Sequence, residues 1–95
     1  MQILIILNEA AYGNERSYNG LRLAMSLAKS EGVELRVFLM GDAVTVAKPG
    51  QKTADGYYNL EKMLKGCTVK GVAIGVCGTC MDARGMADEP LAEGV

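Results

Sequence analysis

Apolar positions along the chain repeat with two different periods. Gln2-Ile3-Leu4-Ile5-Ile6-Leu7 is an unbroken β-prone run, the pattern of a strand covered on both faces in a parallel sheet flanked by helices, and it is expected to be the first and central strand. From Glu15 to Ser30 the spacing changes: Leu21, Ala24, Met25 and Ala28 fall on one helical face, with Leu23 and Leu27 widening the stripe. That spacing predicts a helix, stopped by Gly32. Val33 to Met40 alternates polar with apolar and then turns fully apolar, which predicts a second strand less covered in its first half.

Gly41 to Asp55 is longer than the roughly two to six residues that usually join such elements. Asp42 to Ala47 has room for one helical turn, and Lys48-Pro49-Gly50-Gln51-Lys52-Thr53 cannot continue it. A connection of this length is expected to be a lid over a site or an oligomer contact. Gly56 to Lys65 reads as a second helix with Tyr57, Leu60, Met63 and Leu64 on one face, ended by Gly66. Val72 to Val76 is the third strand, Met81 to Met86 a short helical turn interrupted by Gly85, and Asp88-Glu89-Pro90 the start of a further helix. The order is βαβαβ, an α/β fold with a parallel β-sheet flanked by helices and right-handed crossovers.

Length and composition narrow the function classes. The 95 residues make a single domain spanning 1–95, and a monomer of this size buries only about 60 to 65% of its unfolded surface. With four Tyr, one Phe and no Trp the core must be aliphatic, and association with further copies is a way to bury the surplus. Ten Lys and Arg against eleven Asp and Glu, with no basic run, argue against nucleic acid as a partner. The longest apolar run, Ile3 to Leu7, is far short of the ~20 residues of a membrane span. No basic leader precedes it, so a cytoplasmic protein without a membrane partner is expected. Gly13 and Gly20 do not form a phosphate-binding loop.

The candidate chemistry lies in Cys77-Gly78-Thr79-Cys80. An odd total of three cysteines argues against a disulfide-stapled secreted scaffold. The absence of histidine removes the usual general base and the usual zinc partner. Cys77 ends a strand just where a new helix offers unpaired backbone N–H groups, which favour a thiolate. Three chemical readings follow. Zinc would have Cys67, Cys77, Cys80 and a carboxylate as its ligands. A dithiol redox pair would use Cys77 and Cys80. A single reactive thiol would carry sulfur as a persulfide on Cys77, with Gly78 leaving room for a partner and Arg84 near the anion. Against all three stands a packed cysteine, the favoured role for Cys67. Cys80 either resolves a persulfide as a disulfide or packs in the first turn. Asp82 is expected in that first turn. Tyr12, in the loop leaving the carboxyl end of the first strand, is expected near the chemistry. Tyr57 and Tyr58 read as packing and rim, and Lys48 to Lys52 as a solvated loop. Neither a cofactor nor a bound metal is expected.

The stretch Cys77-Gly78-Thr79-Cys80-Met81-Asp82-Ala83-Arg84-Gly85, together with Tyr12-Gly13-Asn14-Glu15-Arg16, Phe38-Leu39-Met40-Gly41-Asp42-Ala43-Val44 and Gly56-Tyr57-Tyr58-Asn59-Leu60, resembles the DsrE/DsrF-like family over essentially the whole chain. That resemblance implies a small α/β protein assembling as a homo-oligomer, a trimer or hexamer. It also implies sulfur relay between a sulfur-donor and a sulfur-acceptor protein, a sulfurtransferase-like activity rather than small-substrate catalysis. In the relay subunits the sulfur-accepting cysteine lies eight residues before the glycine of an Arg-Gly pair, the spacing of Cys77 to Gly85. The resemblance therefore gives the persulfide to Cys77, and Cys80 is an addition the relay subunits lack. Gly78 and Thr79, joined by Arg84, are expected to support it through backbone N–H groups and charge. The resemblance implies a further helix and a last strand after Val95, so the fold is expected to be truncated there. Alternatives that remain open are an oligomeric binding or assembly module with structural cysteines, and a Cys77/Cys80 dithiol redox protein.

Overall fold

The computed structural model describes residues 1–95. In it β1 (Gln2–Leu7), α1 (Arg16–Leu27), β2 (Glu34–Leu39), a 3-10 segment (Gly41–Ala47), α2 (Leu60–Thr68), β3 (Ala73–Val76) and α3 (Gly78–Ala83) follow one another. The sheet is wholly parallel and the expected βαβαβ order is present. Its strand order is β1-β2-β3, so β2 is central and β1 is an edge. The expectation that β1 is the central strand is corrected, and with it the expectation of cover on both faces.

The two corrections share one cause. Each βαβ crossover is right-handed, and because both step in the same direction across the sheet, both helices land on the same face. The α1 and α2 helices do pack against each other. A central β1 would have sent the crossovers in opposite directions and covered both faces.

The covered face carries Ile3, Ile5 and Leu7 in register with Leu35, Val37 and Leu39, and the last two with Ile74 and Val76. With Leu21, Ala24, Leu60, Leu64 and Cys67 these side chains form the main core. The other face presents Leu4, Ile6 and Phe38 beside Glu34 and Arg36, and Leu4 and Ile6 keep 57% and 49% of their surface exposed. A period-2 strand shows this pattern whenever one face lacks a covering layer.

The long connection differs from its expectation. Its 3-10 segment buries Ala43, Val46 and Ala47 in the main core and Val44 in a smaller cluster with Met81 and Met86. It is part of the interior rather than a lid. The rest is held by Gln51, whose Nε2 donates to the carbonyls of Val46 and Lys48 at 2.8 and 2.9 Å.

The second helix starts later and ends later than the sequence suggests. Gly56 takes φ +84° in a turn, a conformation glycine adopts without cost. Asn59 then caps α2, its Oδ1 accepting from the Lys62 N–H at 3.1 Å. Tyr57 is exposed and does not join the apolar face. Gly66 lies inside α2 rather than after it, and a Cβ there would come within 3.3 Å of Met25 Cε of α1. The glycine permits close approach of the two helices. No helix follows Asp88, where the chain runs in turns. No helix is long and apolar enough to cross a membrane.

Candidate functional site

The carboxyl ends of β2 and β3 build the site. Cys77 N–H donates to the Leu39 carbonyl at 2.9 Å, extending the ladder by one residue and holding the sulfur at the sheet edge. The backbone of Cys77 is still extended, with φ −70° and ψ 114°, and Gly78 begins α3 directly after it. The helix therefore starts three residues earlier than expected at Met81, which makes Cys77 its N-cap and Cys80 its third residue. Asp82 falls in the last turn, not the first.

As N-cap, Cys77 offers its Sγ as acceptor for the Cys80 backbone N–H at 3.4 Å. That is the position in which Ser, Thr or Asp oxygens usually satisfy an unpaired helix N–H. The thiol is held below the ordinary thiol range. The Cys80 side chain contributes most as a hydrogen-bond partner, followed by the Cys80 backbone N–H, with smaller help from the Thr79 N–H and the Arg84 guanidinium and some opposition from desolvation. Gly78 and Thr79 are exposed, and a Cβ at Gly78 would meet nothing within 4 Å. Approach to the sulfur over this turn is open.

Arg84 links α3 to the 3-10 segment. Its Nε and Nη2 lie 3.0 and 2.9 Å from Asp42 Oδ1, and its Nη1 donates to the Cys80 carbonyl at 3.0 Å. Asp42 was not singled out by sequence reasoning; it is 42 residues from its partner, beyond any local spacing rule. Beneath the pair, Met81 packs with Val44 and Met86, and Cys80 and Val76 pack against them. The turn bearing Cys77 is thus held by one ladder bond, one ion pair and one small apolar cluster.

The structure brings Cys77, Gly78, Thr79, Cys80 and Arg84 together. Tyr12 is engaged elsewhere: its hydroxyl donates to Gln51 Oε1 at 2.5 Å and accepts from the Leu60 N–H at 3.1 Å. Its ring also stacks 6.1 Å from that of Tyr58, which lies 4.2 Å from Tyr18. Tyr12 ties the first loop to the start of α2. The third cysteine is remote in kind and place. Cys67 is fully buried at the end of α2, its carbonyl accepting from the Val72 N–H just before β3, whereas Cys77 follows the other end of that strand. Burial pushes the Cys67 thiol up, with Lys70 acting weakly against it. No three or more Cys, Asp or Glu side chains are gathered where they could hold a metal ion.

Comparison with known proteins agrees with this architecture. A model of the DsrE/DsrF-like family matches residues 1–95. The chain is 45% identical over 95 residues to Protein YchN of Escherichia coli K12, covering 99% of this chain and 80% of the relative. It is 42% identical over 94 residues to uncharacterized protein MJ0989 of Methanocaldococcus jannaschii, covering 99% and 81% of the two chains. The crystal structure of the E. coli YchN protein matches with a TM-score of 0.93 at 45% identity, over 99% of this chain and 80% of that one.

Proposed function

This chain belongs to the DsrE/DsrF-like family, associated in general with sulfur relay, and on that premise we propose that it is a sulfur carrier whose working atom is Cys77 Sγ. The Cys77 thiolate attacks the outer sulfur of a donor persulfide. A bond forms between Cys77 and that sulfur, the bond inside the donor breaks, and the donor leaves as a thiolate. An acceptor thiolate then attacks the same outer sulfur and returns Cys77 to its starting state. Donor and acceptor are proteins that reach the open turn at Gly78, and the setting is the reducing cytoplasm, where free cysteines persist. The carrier works as one domain in a homo-oligomer, a trimer or hexamer, and needs no cofactor.

One observation carries the reading: the Cys77 sulfur, at the junction of β3 and α3, accepts a backbone N–H and has its thiol lowered. Arg84 adds positive charge nearby. The test is intact-protein mass spectrometry after exposure to a persulfide donor. Quenched soon after mixing, before any loaded sulfur is released, the wild-type chain and Cys67→Ser carry one added sulfur, and Cys77→Ser carries none. Labelling that persists in Cys77→Ser refutes the assignment.

A second reading, an assembly or binding module in which Cys77 only packs, is favoured by the bare apolar face around Leu4 and Ile6. Thiol titration separates the two. A packed Cys77 reacts slowly with a midpoint at or above ~8.5, and a carrier reacts quickly with a lower one.

A further inference from the structure

Two free thiols stand at the mouth of α3, and sulfur transfer to a partner uses one of them. Cys77 and Cys80 are both partly exposed and unpaired. The 3.4 Å contact from Cys80 N to Cys77 Sγ and an N–Cα bond of about 1.46 Å place the Cys80 Cα within about 4.9 Å of that sulfur. A disulfide between N-cap and third helical residue fits the usual Cα separation of about 4.4–6.8 Å without moving the backbone. The Cys80 side chain already lies within hydrogen-bonding reach of the Cys77 sulfur, and it packs against the Val44, Met81 and Met86 cluster. Cys67, fully buried in the core, does not compete.

We propose that Cys80 is a resolving thiol, which releases the sulfur carried by Cys77 as sulfide whenever no acceptor claims it. The step rests on the persulfide reading of Cys77 and deepens it. The Cys80 thiolate attacks the inner sulfur of the persulfide, Cys77 Sγ. The Sγ–Sγ bond forms, the bond from Cys77 Sγ to the outer sulfur breaks, and that sulfur leaves with the electron pair as hydrosulfide. It takes up the proton that Cys80 gave to solvent. No oxidant is consumed, because the departing sulfur is reduced as the two thiols reach the disulfide level. A dithiol reductant then restores the pair by exchange, its own thiols becoming a disulfide. An acceptor protein must therefore arrive faster than Cys80 attacks, and the chain divides its cargo between partner thiols and free sulfide.

The test loads the full reduced chain with inorganic polysulfide, removes the excess, and keeps the sample free of oxygen and reductant. Wild-type protein releases one sulfide per loaded chain and ends as an intramolecular Cys77–Cys80 disulfide, lighter by two hydrogens. Cys80→Ser retains the backbone N–H and lacks the attacking sulfur. It accumulates the adduct on Cys77, which decays at least about tenfold more slowly. Cys80→Ala, a different size in the same packing, behaves alike. A wild-type adduct that lasts as long as that of Cys80→Ser overturns the proposal, as does a disulfide joining two chains. An absence of adduct on Cys77 in Cys80→Ser overturns the persulfide reading itself, and so marks that failure apart from this one.

Discussion

The lowered thiol of Cys77 depends on a six-residue helix that would not survive alone. Its one buried side chain is Met81, 8% exposed, packed with Val44 and Met86. Truncation by Met81→Ala removes that anchor. Loss of a buried Met costs about 2–5 kcal/mol, and this cluster is small and close to the surface, so the cavity collapses or hydrates and about 2 kcal/mol is expected. For a domain of this size that lowers Tm by roughly 8–16 °C. The local effect is more specific. With α3 loosened, the Cys80 N–H no longer stays on Cys77 Sγ and Arg84 loses its seat over the turn. The pH midpoint of Cys77 alkylation, followed by peptide mass spectrometry, then rises toward the ordinary ~8.5. Leu64→Ala is the control. It empties a fully buried position in the main core, destabilises at least as much, and leaves the Cys77 midpoint where it was. If Met81→Ala lowers Tm with an unchanged midpoint, or if both variants move the midpoint alike, the link from this cluster to the thiol is wrong.

Cys67 behaves in the opposite sense to Cys77. Its folded thiol is raised by burial, so above about pH 8.5 the unfolded chain gives up this proton while the folded chain keeps it, and stability falls by up to about 1.4 kcal/mol per pH unit until the folded thiol also ionises. Urea titrations of wild type and Cys67→Ala should show the wild-type advantage shrinking as pH rises; a constant gap removes the claim. Tyr12→Phe deletes the hydroxyl that receives the Leu60 N–H and donates to Gln51, which costs about 1–2 kcal/mol and speeds hydrogen exchange at the Leu60 amide. Unaltered exchange there would show that the hydroxyl does not hold the start of α2.

How much was legible follows from which interactions are local. The spans of β1, α1 and β2 rest on periods of two and 3.6 within a dozen residues, and they fell within a few residues of expectation. The parallel α/β class follows from their order. Where β3 attaches is not local. Leu4 and Ile6 make β1 read as doubly covered, although in this chain they face outward. An apolar edge strand and a buried central one share the same sequence pattern, so the position of β1 was misread and the single-sided helix layer with it. Gly66 was misread for a related reason. A glycine that stops a helix and one that lets Met25 approach look identical until the partner helix is placed.

At the site, the coincidence of strand end, cysteine and glycine was visible because three adjacent residues carry it. The ion pair from Arg84 to Asp42, and the cap from Cys77 to Cys80, depend on how far β3 extends before α3 begins. The ladder bond from the Cys77 N–H to the Leu39 carbonyl decides that point. A start at Met81 would leave Cys80 outside the helix and its N–H free of Cys77. Moving the start back by three residues makes the Cys80 backbone N–H a donor to the Cys77 sulfur on one helical turn. The chemistry proposed for this chain therefore depends on a register set by β2, a strand whose own residues carry none of it.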